Sequence, residues 1–324
     1  VELIDEGATI PFIARYRKEV TGSLNDEQLR ALSERLIYLR NLEEKKASVL
    51  ATIEEQGKLT DELKKQIGAA MTMVALEDLY RPYRPKRRTR ATIAKEKGLE
   101  PLAEILRAQE TAKTIEEEAA AFVDAEKGVE SVQDAIDGAK DILAEVYADD
   151  ADYRTKLRAM TKESGSLVAK AKDEDADSVY EMYYDFSEPI KKLVGHRILA
   201  INRGETEKFL TVKVEAPRQE ILLWLVKQII GNMKHDSASY LYEAITDSYD
   251  RLIAPSIERE IRNELTEKAE EGAISVFGKN LHQLLMQPPI SGQVVLGWDP
   301  GFAHGSKLAV VDETGKVLDT VIIY

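Results

Sequence analysis

Residues 25–57 read NDEQLRALSERLIYLRNLEEKKASVLATIEEQG and predict one long amphipathic helix. Asn25, followed three residues later by Gln28, is a capping-box variant, which satisfies two N–H groups at a helix start. Apolar residues recur on one helical face, at Leu29, Leu32, Leu36, Leu39, Leu42, Val49 and Ile53. Gly57 is expected to end this helix, and Thr60-Asp61-Glu62 to begin the next. The pattern therefore predicts a helical hairpin and favours a mainly α fold.

The helical pattern extends on both sides of this hairpin and predicts an N-terminal helical region over residues 1–186. The period changes after Pro189. Short apolar runs at 196–202 and 209–214 flank Arg203-Gly204-Glu205 and predict a β-hairpin or a β-arch within 187–216.

A second helical bundle is expected over residues 217–287, with helices at 236–253, 255–271 and 273–286, and Pro288-Pro289 ends it. Residues 288–324 then predict a three-stranded β-meander that opens a larger sheet. The chain begins at Val1 and ends on an apolar strand, so we interpret it as a fragment of a longer polypeptide.

Composition excludes several classes of protein. The 324 residues suggest two or three domains, and 44% hydrophobic with 32% charged residues exclude a disordered chain. The absence of cysteine excludes disulfides, thiolate metal sites and a cysteine nucleophile, and fits a reducing compartment. No apolar run approaches the ~20 residues of a membrane span.

The formal net charge of −13 is regional, because residues 100–185 hold 23 acids against 10 bases and account for the whole excess. Such a region is typical of solvated helices, with an acidic docking site as the alternative. The rest of the chain is balanced in charge and can carry a local basic site.

The most distinctive basic feature is the segment 81–90, RPYRPKRRTR, defined here as the basic segment. It carries six bases and no acid. Clustered positive charge binds phosphates by releasing counterions, and tyrosines can stack on unpaired bases. The candidate nucleic-acid contacts here are Tyr83, Arg84, Lys86, Arg87, Arg88 and Arg90. Two alternatives remain: pairing with the chain's own acidic helices, and docking of a protein partner.

A smaller basic-aromatic cluster at a predicted helix end adds three candidates, Arg15, Arg17 and Lys18. Asp299 and Asp312, each at the end of a predicted strand, are weak candidates for a magnesium site of a nuclease. Asp299-Pro300-Gly301 fits an ordinary tight turn better. The scattered histidines and the lack of phosphate-binding glycine loops predict no metal and no cofactor.

Four motifs in order resemble the bacterial Tex family of transcription accessory proteins. They are EGATIPFIARYRKE at 6–19, EDLY at 77–80 running into PKRRTRAT at 85–92, YDFSEP at 184–189 with His196-Arg197, and Asp299-Pro300-Gly301-Phe302. The resemblance covers essentially the whole chain. It departs at Ala303-His304, where family members commonly carry Arg-Thr.

This resemblance implies a cytoplasmic protein about twice as long as this chain, which binds RNA or DNA with little sequence preference. It implies a helical region with helix-turn-helix character, then an RNase H-like domain that has mostly lost its catalytic carboxylates. It places helix-hairpin-helix motifs and an OB fold beyond Tyr324.

The sequence therefore predicts a non-enzymatic transcription accessory factor with RNA or DNA, and RNA polymerase or related machinery, as partners. The alternatives are a metal-dependent nuclease beginning at Asp299 and a protein-interaction module.

Overall fold

The computed structural model describes residues 1–85, 88–288, 291–301 and 305–324. Helices dominate, and the strands form two small sheets, which confirms the predicted mainly α class. The chain divides into two compact units. Unit 1 comprises Val1–Leu193 and Ile201–Asn263, and unit 2 comprises Val194–Ala200 and Glu264–Tyr324.

Unit 1 begins with six helices, and side-chain hydrogen bonds cap the starts of the last three. The six helices are α1 (Glu2–Asp5), α2 (Ile10–Tyr16), α3 (Lys18–Thr21), α4 (Asp26–Glu55), α5 (Asp61–Ala69) and α6 (Met73–Tyr80). Asn25 Oδ1 accepts the Gln28 N–H at 2.8 Å, and Gln28 Oε1 accepts the Asn25 N–H at 3.0 Å. The Thr60 hydroxyl caps α5. The predicted hairpin and both of its start points are confirmed.

The apolar stripe of α4 enters a core that α5 and α6 complete. Leu42, Val49 and Ile53 are buried there, together with Leu63, Ile67, Ala70 and Leu76. Leu32 of the same stripe remains 38% exposed. The C-terminal half of the stripe is buried because α5 packs on that part of α4.

The middle of unit 1 is built around one buried helix. Its helices are α7 (Arg90–Glu96), α8 (Glu100–Ala108), α9 (Ile115–Ala120), α10 (Val132–Asp149) and α11 (Ala151–Ser164). Helix α10 buries Ile136, Ala139 and Leu143 and packs against α7, α8 and α9. Alanines and Gly138 on α10 permit this close packing, because a Cβ at Gly138 would lie 2.3 Å from Leu99 Cδ1.

The prediction that residues 1–186 are helical throughout is wrong beyond α11. Strands β1 (Ser166–Ala171), β2 (Asp185–Pro189) and β3 (Leu210–Glu215) form an antiparallel sheet in the order β2-β1-β3. Leu167 of β1 lies opposite Glu188 and Val214. The central strand β1 is too short for its six residues to show a period that excludes a helix.

The predicted hairpin within 187–216 is also wrong in its first strand, because residues 196–202 belong to α12 (Gly195–Thr206). Ile198 and Ile201 are buried and lie one helical turn apart. This short apolar run is therefore compatible with a helix as well as with a strand. The second run does form a strand, β3, but its partner is β1.

The remaining helices are α13 (Arg218–Ile229), α14 (Ala238–Asp247) and α15 (Ala254–Leu285), with a π-helical turn over Ser248–Ile253. Helix α15 is continuous, so the predicted break between 271 and 273 is wrong. A Cβ placed on Gly272 would have no neighbouring atom within 4 Å among the described residues, so the glycine is exposed. One exposed glycine lowers the stability of a long helix by only about 1 kcal/mol.

The C-terminal part of unit 2 is the predicted meander. Strands β4 (Val295–Asp299), β5 (Ser306–Val311) and β6 (Val317–Ile323) pair antiparallel in the order β4-β5-β6. Large apolar side chains on this sheet are exposed, among them Leu296 and Trp298. Over the described residues, the structure contains no helix that is both long and apolar enough to cross a bilayer.

Gly165, between α11 and β1, provides a test of this packing. A Cβ there would lie 2.4 Å from the Thr161 carbonyl oxygen and 3.1 Å from that of Glu215. We expect Gly165→Ala to lower the free energy of unfolding by about 1–3 kcal/mol, because backbone must move. Gly68→Ala in α5, with open space around it, is the control and should raise stability by up to about 1 kcal/mol. Urea denaturation measures both, and equal effects would contradict the packing described.

Candidate nucleic-acid interface

The basic segment follows directly from α6. Residues Arg81–Tyr83 form a 3-10 turn, Arg84 is extended, and Thr89 is the N-cap of α7, where its hydroxyl accepts the Thr92 N–H at 3.1 Å. Two of the predicted contacts, Lys86 and Arg87, lie outside the described residues. The segment is thus held at both ends by helices.

Arg84 and Arg88 extend into solvent, with side chains 65% and 70% exposed. Arg84 lies 3.7 Å from Glu77, and Arg88 lies 2.8 Å from Glu96. Exposed ion pairs of this kind contribute at most about 1 kcal/mol. The two guanidinium groups are therefore available to stronger anionic partners.

Tyr83 differs from the other candidates because its ring packs on the core of α4, α5 and α6. Its carbonyl also accepts the Gln56 side-chain amide at 2.8 Å. The structure thus places Tyr83 as an anchor of the turn rather than as a free stacking surface.

The basic segment borders acidic side chains of α10. Arg84 lines a cleft of about 480 Å³ together with Lys95, Glu145 and Asp149. Burial raises the pKa of Asp141 on α10, and the positive charge of Arg90 lowers it only in part. The acidic region and the basic segment therefore meet within one unit.

A buried ion-pair network, which sequence reasoning missed, holds α6 in place just before the basic segment. Arg154 of α11 is fully buried and donates to Asp78 Oδ1 and Glu260 Oε1, each at 2.7 Å. Arg158, one turn later, donates to the other oxygens of both carboxylates at 2.8 Å. All four carboxylate oxygens are thereby occupied.

Burial alone would raise the pKa of the Glu260 carboxyl, but the Arg158 hydrogen bond and the two arginine charges outweigh it and lower the pKa. The same carboxylates raise the pKa of Arg158 despite its desolvation. The sequence gives one signal for this network: Arg154 and Arg158 are four residues apart and share one helical face.

The N-terminal candidates lie on α2 and α3. Arg15 is exposed near the end of α2, and Arg17 lies between the two helices, its guanidinium 5.2 Å from the Phe12 ring. Lys18 begins α3 and is exposed. Phe12 and Tyr16 are also exposed and pack on each other with ring centres 5.4 Å apart.

The candidate carboxylates of unit 2 are separately engaged. Asp299 ends β4 opposite Lys307. Asp312 accepts the Thr314 hydroxyl at 2.7 Å and the N–H groups of Thr314 and Lys316, and these bonds lower its pKa. Within the described ranges, no three His, Asp or Glu side chains are placed to hold a metal ion.

Three family models match the chain. The Tex-like protein N-terminal domain matches residues 1–54, and the Tex central region-like model matches 110–277. The Tex protein YqgF-like domain matches residues 293–324.

Three relatives illustrate the similarity. The chain is 49% identical over 327 residues to protein YdcI of Bacillus subtilis (strain 168). It is 44% identical over 332 residues to the transcriptional accessory protein Tex of Neisseria gonorrhoeae. It is 33% identical over 341 residues to S1 RNA-binding domain-containing protein 1 of Homo sapiens. Each alignment covers 100% of this chain but only 46%, 43% and 34% of the relatives, so the chain spans less than half their length.

The buried network predicts a large and specific loss of stability. Arg154→Met leaves Asp78 and Glu260 short of a partner, so we expect the free energy of unfolding to fall by about 3–5 kcal/mol. Arg88→Gln, which removes only an exposed pair, should change it by less than about 1 kcal/mol. Chemical denaturation followed by circular dichroism measures both. A similar small change in the two variants would contradict a structural role for the network.

Proposed function

The chain belongs to the Tex family, and we propose that it is part of a transcription accessory factor that binds RNA or DNA through the basic segment. The observation that carries the proposal is the pair of exposed guanidinium groups of Arg84 and Arg88, within ten residues that contain six bases and no acid. The names of two relatives, one a transcriptional accessory protein and one an S1 RNA-binding domain-containing protein, support a partner of this class.

Binding through these groups is expected to show little sequence preference. Guanidinium groups form charge-assisted, often bidentate hydrogen bonds with phosphate oxygens, which every nucleotide presents alike. The ring of Tyr83, the one aromatic of the segment, is partly buried against the core and offers less surface for base stacking than an exposed ring would. Contacts with the phosphate backbone of the nucleic acid thus dominate this proposed interface.

The strand binds by exchange of ion pairs, in which phosphates replace the carboxylate partners of Arg84 and Arg88. In the free protein, Glu77 and Glu96 neutralise Arg84 and Arg88 through exposed pairs that are individually weak. A backbone phosphate carries one negative charge, as a carboxylate does, but its binding also releases condensed counterions from the nucleic acid, which favours the exchange. The nearby α10 acids repel the strand, so the net affinity should be modest and strongly salt-dependent.

Other features of the family remain predictions for this chain. We propose that β4, β5 and β6 are the first strands of an RNase H-like domain and that the helices of unit 1 include a pair of helix-turn-helix character. We also propose that the acidic region 100–185 is the surface that contacts RNA polymerase or related transcription machinery.

A charge-removal variant tests the interface. Arg84→Gln, Lys86→Gln and Arg87→Gln together should weaken binding to single-stranded RNA and DNA alike. The slope of log K against log salt should fall by about 0.7 for each lost phosphate contact. Fluorescence anisotropy at several chloride concentrations measures both quantities.

The matched control removes the same charge elsewhere, through Arg107→Gln, Lys127→Gln and Lys156→Gln, three exposed bases away from the segment. It should leave the slope nearly unchanged. An equal loss in both triple variants would show that only net charge matters, and an unchanged slope in the first would refute the proposed interface.

We propose that the chain has no nuclease activity of its own. Asp312 is engaged in its own turn, and Asp299 faces a lysine across the sheet. A two-metal displacement needs further carboxylates around the same ions. Labelled RNA, DNA and branched DNA should stay intact in Mg²⁺ and in Mn²⁺. Cleavage that is lost in Asp299→Asn would overturn this expectation.

A further inference from the structure

Arg81, the first base of the basic segment, lies in a different environment from the others. It is partly buried, and its Nη2 atom donates to the Ser256 hydroxyl at 3.3 Å. Within the described part of the chain, no carboxylate oxygen lies within 4 Å of its guanidinium. A desolvated cation without an ion-pair partner is costly, so its retention here requires an explanation.

The second cation beside it is Arg154. The Ser256 hydroxyl also accepts from Arg154 Nη2, at 3.0 Å, so the two guanidinium groups meet on one oxygen atom. Arg154 Nη1 is buried and has no hydrogen-bond partner. Burial first, and the Arg154 charge second, lower the pKa of Arg81.

The carboxylates of the network form no direct ion pair with Arg81. Asp78 and Glu260 each use both oxygens for Arg154 and Arg158. The charges of Asp149, Asp78 and Glu260 still attract Arg81, but burial and the Arg154 charge outweigh them.

Arg81 faces an open cleft of about 500 Å³. The cleft has apolar walls from Met73, Val74 and Pro85, and polar walls from Glu77, Asp78, Arg81, Arg84 and Glu260. The Glu77 carboxylate is shared between Lys45 at 3.4 Å and Arg84 at 3.7 Å. A small anion that enters this cleft would meet the guanidinium groups of both Arg81 and Arg84, since both line it.

We propose that this cleft is a phosphate-binding site in which Arg81 contacts the phosphate group directly and Arg84 closes over it. The proposal rests on the proposed function, since it names the cleft as the place where one backbone phosphate of the strand is held. The guanidinium charges of Arg81 and Arg84, which both line the cleft, provide the attraction, and a planar guanidinium provides two donors for two phosphate oxygens. Ser256, bonded to Glu260 as well, fixes the position of Arg81.

If Arg81 is retained for binding and not for folding, its desolvated charge should lower the stability of the free protein. Arg81→Gln removes a repelled and desolvated charge, so the melting temperature without ligand should stay the same or rise. A residue with a merely structural role would give the opposite result. This readout separates a binding role from a folding role.

Two probes distinguish the sources of phosphate. The first is a 15-nucleotide oligouridylate, for which Arg81→Gln should weaken binding about tenfold and lower the salt slope by about 0.7. Arg81→Lys should keep most of the slope but lose affinity, because a lysine cannot form the two-donor contact. The second probe is inorganic phosphate at constant ionic strength, which should raise the melting temperature of the natural protein but not that of Arg81→Gln.

The outcomes separate the two proposals. If Arg81→Gln binds oligouridylate normally while the Arg84, Lys86 and Arg87 variant is weakened, the cleft site is wrong and the proposed function stands. Suppose that neither variant weakens oligouridylate binding, but phosphate still raises the melting temperature of the natural protein and not that of Arg81→Gln. The cleft then binds free phosphate, and the proposed function is wrong. If Arg81→Gln lowers the melting temperature without ligand and phosphate protects both proteins equally, Arg81 is only structural.

Discussion

Arg154 is a fully buried cation, and its contacts with Asp78 and Glu260 join three parts of the chain that are 76 and 106 residues apart. Removing charge from water costs several kcal/mol per ion unless every oxygen and nearly every N–H group finds a partner. The network meets this requirement for the carboxylates, and it thereby fixes α6 against α11 and the start of α15. Because the basic segment begins where α6 ends, its position depends on the same contacts.

The network also explains how a chain of net charge −13 can present a cationic surface. Charge balance is local: Asp78 and Glu260 are fully used by Arg154 and Arg158, whereas Arg84 and Arg88 pair only with solvent-exposed acids among the described residues. In the proposed interface, attraction at short range would exceed the repulsion from the acidic helices, which salt screens over about 10 Å. The acidic region would then limit the affinity and increase its dependence on salt.

Sequence reasoning succeeded where structure is set by neighbouring residues. The starts of α4 and α5 follow from side chains that bond backbone groups three residues away, and the meander follows from short apolar runs separated by turns. It failed at β1 and at α12, where short apolar runs are compatible with either period and only the partner decides between them.

The sequence by itself determined the helical class, the main helix boundaries, the regional acidity, the six-base segment and the family, because each depends on local pattern or on residue identity. The tertiary structure alone decided which arginines are buried in pairs, which are exposed and which, like Arg81, are desolvated without a carboxylate partner. The physical reason is distance along the chain. A capping bond joins residues three apart, whereas the environment of a charge is set by groups that only folding brings together.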